Sequence, residues 1–248
     1  MNAFANIKTI AKRELVGYFS SPIPYVLMVI FLLLMGFFGF MIGRIFERGE
    51  ATLYWYFFWH PWIYILVAAV GMRLWSEERR LGTMELLLTM PLTTWQAIVG
   101  KFVASWAFLG LSLSLTFPAW ITVRSLGSPD NGVIFCSYLG SLLLAGAYLA
   151  ISSMTSAMTR NQVISFIVSV VIYIFLILAG FPPVQDFLVS LNAPGWLVDG
   201  VAGLSVYPHF QSIQRGVIDS RDLIYFFSII GLALFTTGVI IRNLRSGH

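Results

Sequence analysis

The chain has 248 residues, of which 58% are apolar and only 10% charged, with a mean hydropathy of +0.83 and a formal net charge of +4. A soluble domain carries roughly a quarter of its residues as Asp, Glu, Lys and Arg, so this composition excludes a water-soluble fold and indicates an integral membrane protein. A single cysteine, Cys136, excludes an internal disulfide, and three histidines without zinc spacing argue against a metalloenzyme. The cations fall in small groups between apolar runs rather than in a stripe, which points to anionic lipid headgroups rather than nucleic acid.

In chain order, residues 3–20 predict an amphipathic helix. Phe4, Ile7, Ala11, Leu15 and Tyr18 recur at spacings of three and four, with Lys8, Lys12 and Arg13 elsewhere on the wheel. Such a helix suits the headgroup plane; the plainer reading is a basic leader that sets topology. Ser20, Ser21, Pro22 and Pro24 end it. Crossing roughly 30 Å of hydrocarbon takes about 20 apolar residues, and six charge-free runs are long enough, with cores near 24–43, 56–75, 102–123, 133–155, 162–181 and 223–241. Loop cations orient them. Ten of the fifteen, among them Lys8, Arg13, Arg79, Arg80 and Arg160, lie on one side, which puts both termini in the cytoplasm. The first run is too long for a cleaved signal and no A-x-A site follows it, so it is retained as a span.

The cytoplasmic segment 76–101 is longer than a chain reversal requires. Arg73 with Glu77, and Glu77 with Arg80, are spaced to pair on a helix; Gly82 permits a break, Thr83 can cap a further short helix to Thr89, and Pro91 stops it. Met84, Leu87 and Leu88 then stand beside Glu85. They suit docking to a partner or burial against this chain's own spans, and the pattern leaves both open.

Segment 182–222 is external and too apolar for a solvated loop. Its prolines and glycines cut it into pieces shorter than a crossing, which predicts half-helices dipping into the outer leaflet as a lid. Gly216 reads as a C-terminal stop, Ser220 as the N-cap of the last span, and Asp222 as favourable near that span's positive end. Arg215, Asp219, Arg221 and Asp222 serve capping and local pairing, or a polar ring at an outer exit, or contact with an external partner.

No catalytic constellation assembles. There is no His-Glu-x-x-His and no Gly-x-Ser-x-Gly, and around Gly100-Lys101 position 95 is Trp and position 102 is Phe where a phosphate loop needs Gly and Ser or Thr. Apart from Arg73, at the cytoplasmic edge of the second core, no charge lies within a span core, which argues against an ion-driven transporter; any energy for transport enters from outside the spans. Gly39 with Gly43, and Ser152 with Ser156, have the small-residue spacing of close helix packing, within one subunit or at a dimer seam.

The run from Glu77 to Pro91, Glu-Glu-Arg-Arg-Leu-Gly-Thr-Met-Glu-Leu-Leu-Leu-Thr-Met-Pro, together with Gly100-Lys101, resembles the type-2 ABC exporter permeases. The stretch Arg215-Gly-Val-Ile-Asp-Ser-Arg-Asp222 is similar to the gliding-motility GldF type within that family. The resemblance implies an all-α integral membrane protein of the bacterial inner membrane: six transmembrane helices, an N-terminal elbow helix, and external half-helices between spans five and six. It implies that Glu77, Glu78, Arg79, Arg80, Gly82, Thr83 and Glu85 couple the chain to a separate ATP-binding subunit, which holds ATP and Mg, while this chain has no cofactor and no catalytic residue. It further implies a second permease chain, the same or one with a large periplasmic domain, and an outer gate formed by the external half-helices; topology, not the resemblance, adds Arg215, Gly216, Asp219, Arg221 and Asp222 to that gate or lid. Export of a hydrophobic or amphiphilic substrate through a dimer cleft is the first reading of function. The alternative is a non-transporting coupler that relays ATP-driven motion to a periplasmic partner.

Overall fold

The computed structural model describes residues 3–48, 51–84 and 93–246. Helix α1 (Ala3–Ser20) leads into α2 (Pro22–Gly36), where the proline sits in the first turn and needs no N–H partner. A π-helical turn, Phe37–Ile42, and α3 (Ile45–Arg48) finish the first apolar rod. The second rod is interrupted: α4 (Tyr54–Phe58), α5 (His60–Ile63), a 3-10 turn at Tyr64–Leu66, α6 (Val67–Gly71) and α7 (Arg73–Leu81) follow one another. Next come α8 (Thr94–Ser114), α9 (Phe117–Leu126) and α10 (Asn131–Met158). After them, α11 (Gln162–Leu178), α12 (Pro182–Ser190), α13 (Gly195–Gly203) and α14 (Val206–Gln214) lead to α15 (Ser220–Ser246). Every regular element among the described residues is helical.

Five stretches are long and apolar enough to cross a membrane: Pro22–Glu47, Tyr54–Leu81, Thr94–Leu126, Asn131–Met158 and Ser220–Leu244. The fifth predicted span differs. Its helix α11 has 17 residues, about 25 Å at the α-helical rise, and the chain then bends by 69° into α12. Pro182 and Pro183 enforce that break, since neither has an N–H to continue the α11 ladder. The third rod starts eight residues before its predicted core. Thr93 and Gln96 form a capping box there, each side chain bonding the other's backbone N–H, so the end of segment 76–101 is helix.

Helix α10 is the axis of the bundle, and α15, α11, α6, α8, α14 and α7 all pack on it. Its small residues allow this. Gly140 lies under Ile213, Gly146 lies under the Trp106 indole, and Trp106 Nε1 donates to the Leu142 carbonyl at 2.8 Å. Tyr148 stacks on Tyr173 of α11 with ring centroids 4.1 Å apart. Gly39 is packed against the Tyr56 ring and Gly43 against Trp55, so this small-residue pair serves contacts within the chain.

Helix α1 is laid lengthwise on α8. Asn6 donates to Gln96 at 3.2 Å, Gly100 sits against Ile7 and Ile10, and the Tyr18 hydroxyl meets Ser105 Oγ at 2.8 Å, so contacts advance together along both helices. The buried stripe overlaps the predicted one, with Ile7, Ala11, Leu15 and Tyr18 half-buried, and is widened to one side. Asn6 and Ile10 are inside, whereas Phe4 is 77% exposed.

Candidate functional site

The charged end of the second rod is held by three small side chains of α10. Gly71 lies against Ser152, leaving no room for a Cβ. One turn on, Ser156 Oγ donates to the Met72 carbonyl at 2.7 Å and accepts from the N–H groups of Trp75 and Ser76, both at 3.0 Å. These N–H groups open α7, and a helix start leaves such donors unmatched; Ser156 supplies their acceptor. Ser153 Oγ accepts from the Trp75 indole at 3.0 Å, and Arg79 donates to the Ala157 carbonyl at 2.6 Å. Helix α7 is thereby fixed to the end of α10.

A second fixture comes from Lys101. Its side chain is 5% exposed, its ammonium lies 2.8 Å from Glu78 and 3.4 Å from Glu14, and it sits over the Trp75 ring at 5.3 Å. One buried cation thus joins α1, α7 and α8. Tyr18 adds to the same seam: Ser105 Oγ donates to the Lys101 carbonyl at 2.9 Å and so accepts from Tyr18, whose ring stacks on Phe108. Burial pushes the Tyr18 phenol up to about 12, so it keeps its proton.

What projects beyond these fixtures is the tip of α7. Arg80, Leu81, Gly82 and Thr83 are exposed, Leu81 by 62%. Gly82 has φ +70°, a left-handed conformation suited to glycine, and the Glu78 carbonyl accepts from the N–H groups of both Gly82 and Thr83. Glu77 is half-buried and lines a cleft with Arg73. The pairings predicted for Glu77 with Arg80 and with Arg73 do not form among the described residues, where the ion pairs near α7 converge on Lys101 instead. Glu78 is correspondingly no free surface charge. Glu85, Leu87 and Leu88, and with them the short helix predicted up to Thr89, lie outside the described residues.

The second predicted group, Arg215 to Asp222, is at the opposite end of α10. Gly216 has φ +86°, its N–H meets the Ile213 carbonyl at 2.9 Å, and a Cβ there would approach Val133 Cγ2 to 2.9 Å. Arg215 and Arg221 are exposed. The N-cap of α15 is Asp219 rather than Ser220: its side chain accepts from the Arg221 N–H at 3.0 Å, and its carbonyl accepts from Asp222 and Leu223. That N–H is the main reason the Asp219 carboxyl lies below its ordinary value of 3.8. Asp222 turns inward. It is 5% exposed and bonds His209 Nδ1 at 2.7 Å, while the His209 ring stacks on Tyr225.

The predicted residues therefore form two separate clusters, and within each some are structural. Sequence reading missed Glu14, Ser156, Lys101 and His209 as their partners. Lys101 carried a signal, being a lone cation just inside an apolar run; Ser156 carried none beyond its spacing from Ser152.

A family model described as ABC-2 family transporter protein matches residues 58–194, more than half of the chain. The match takes in α7 and α10 but ends before the Arg215–Asp222 stretch. A search of the curated proteins finds no match.

Proposed function

Since the chain belongs to the ABC-2 family of transporter proteins and is a permease subunit of an ABC transporter, we propose that it works as the membrane half of an ATP-driven exporter. In this reading the tip of α7, Arg80 to Thr83, docks onto a separate ATP-binding subunit in the cytoplasm. The observation that carries it is the mounting of that tip. Ser156 and Arg79 tie α7 to the central helix and Lys101 ties it to α1 and α8, so a push on exposed Arg80 and Leu81 is delivered to the bundle rather than absorbed in a loop. Helix α1 acts as the elbow helix, and α12, α13 and α14 act as half-helices of an outer lid, with Phe187, Val189, Leu191 and Trp196 exposed for apolar contact. The substrate is hydrophobic or amphiphilic, passing between two permease chains, because the span cores present aromatic and aliphatic surface with no charge at mid-depth. The likeness at Arg215–Asp222 favours the gliding-motility type, whose second permease carries a periplasmic domain.

The test is a mild-detergent pull-down of the full chain from its native membrane, with mass spectrometry of what accompanies it. Recovery of an ATP-binding subunit with the natural chain, and its loss in Arg80→Glu/Leu81→Glu, is the expected result. Absence of any ATPase from an intact, solubilised complex overturns it. An ATPase that stays coupled in liposomes while no amphiphile moves supports the coupler instead.

A further inference from the structure

Between the last turns of α1, the start of α2 and the α6–α7 rod lies a cleft of about 380 Å³. It has two kinds of wall. Ile23, Leu27 and Val70 make one side apolar, and Ile23 carries this surface onto the exposed face of α2 at Val26 and Ile30. The other side is charged, with Glu14, Arg73, Glu77, Glu78 and Lys101. Lys101 is already engaged by Glu14 and Glu78. Arg73 and Glu77 are not: among the described residues neither forms an ion pair, with the other or with anything else. Arg73 Nε and Glu78 Oε2 are moreover withdrawn from solvent without a hydrogen-bond partner among the described residues. An unmatched polar atom of a charged group is costly when buried, and two of opposite sign in one cleft are matched together by a ligand bearing both an anion and a cation.

We propose that this cleft binds the headgroup of a zwitterionic phospholipid with a primary ammonium. Its phosphate meets Arg73, its ammonium lies between Glu77 and Glu78, and its acyl chains run down Ile23, Val26 and Ile30. Arg73 and Glu77 are one helical turn apart on the same face, with Cβ atoms about 6 Å apart, a spacing on the scale of the phosphate and ammonium ends of such a headgroup. An anionic lipid fits less well, because three carboxylates face two cations across the cleft. A soluble zwitterion would leave the apolar wall without an occupant. The proposal rests on the reading of α2 as a membrane span, and not on the identity of the ATP-binding partner.

The test is native mass spectrometry of the full chain, purified with its accompanying subunits and presented with phosphatidylethanolamine, phosphatidylglycerol or soluble phosphoethanolamine. The expected result is one phosphatidylethanolamine retained per chain, with retention at least tenfold lower in Arg73→Gln and in Glu77→Gln and preserved in Arg73→Lys. Glu77→Gln, at a half-exposed position, serves if Arg73→Gln fails to fold, as judged by its thermal unfolding. Equal retention of both lipids by the natural chain, or retention unchanged in a folded Glu77→Gln variant, overturns the proposal. So does displacement of the lipid by phosphoethanolamine at equal concentration, which would assign the cleft to a soluble ligand. Recovery of the ATP-binding subunit is scored in the same preparations, so loss of lipid binding and loss of partner binding are read separately.

Discussion

The ammonium of Lys101 lies 2.8 Å from a carboxylate oxygen of Glu78, and only 5% of the lysine side chain is exposed. Removing one member of a buried charge cluster leaves the others without compensation, at a cost of about 3 kcal/mol or more. Lys101→Ala, which sets Glu14 against Glu78, is expected to lower stability by that order, measured by thermal unfolding of the solubilised protein. Lys101→Met combined with Glu78→Gln should recover most of the loss, since the only carboxylate of the cluster that remains, Glu14, keeps Arg13 at 3.0 Å. An unchanged melting temperature in Lys101→Ala would show that the clasp contributes nothing. For the same reason Glu78 is a poor probe of docking, and Arg80 and Leu81 are the better ones.

Two glycines with positive φ differ in their surroundings. Around Gly82 there is open space, whereas a Cβ at Gly216 meets Val133. Gly82→Ala therefore adds only the left-handed backbone penalty of about 1 kcal/mol. Gly216→Ala adds steric overlap to that penalty, and its fall in melting temperature should be the larger of the two. Val133→Ala should return part of the Gly216→Ala loss and none of the Gly82→Ala loss.

Contact between Gly71 and Ser152 yields a test of the second rod's mounting. A methyl group at Gly71 overlaps Ser152 Oγ and Cβ, and overpacking of this kind costs about 1–3 kcal/mol. Gly71→Ala is expected to destabilise by that amount, and adding Ser152→Gly should relieve it. If the double variant melts no higher than Gly71→Ala, the two helices do not meet there.

The pair His209 and Asp222 joins α14 to α15. His209→Ala leaves the buried carboxylate of Asp222 without its partner, an expected loss of about 2 kcal/mol. His209→Ala/Asp222→Asn should lose less than the single changes combined, and a thermal double-mutant cycle measures the difference. A coupling near zero would separate the two residues.

Asp219 gives a pH dependence with a definite sign. Its folded carboxyl titrates below the ordinary value of 3.8, so the cap's stabilisation is fully present above that value and is lost as pH falls through the lower, folded value. Stability differences between the natural chain and Asp219→Asn should be constant from about pH 5 to 8 and should shrink below about pH 4. Hydrogen exchange at the Arg221, Asp222 and Leu223 amides follows the cap directly. A difference that grows on acidification would exclude this account.

Much of the architecture was legible because hydrophobic length is a local property. Apolar runs free of charge located five rods that the fold contains, and Gly82 and Gly216 announced their positive φ through position alone. The breaks were less legible. Ser156 meets the second rod from 84 residues away in sequence, at the Met72 carbonyl, and while Pro182 and Pro183 signalled a break after α11, its 69° angle was not readable from them. Asp219 took the cap from Ser220 because its carboxylate reaches the Arg221 N–H, a choice between neighbours that composition does not make.

By itself the sequence determined that this chain lives in a membrane as a bundle of helices, and it supplied the Glu77–Pro91 run that suggested docking. Both follow from short-range facts, since helix length is set by bilayer thickness and motif spacing by the helical turn. Only the tertiary structure decided which charges are available. It buried Lys101 between Glu14 and Glu78, turned Asp222 onto His209, and left Arg73 and Glu77 facing a cleft with no ion-pair partner among the described residues. The physical reason is that an ion pair depends on distance in space, and residues 14, 78 and 101 become neighbours only after three helices have packed.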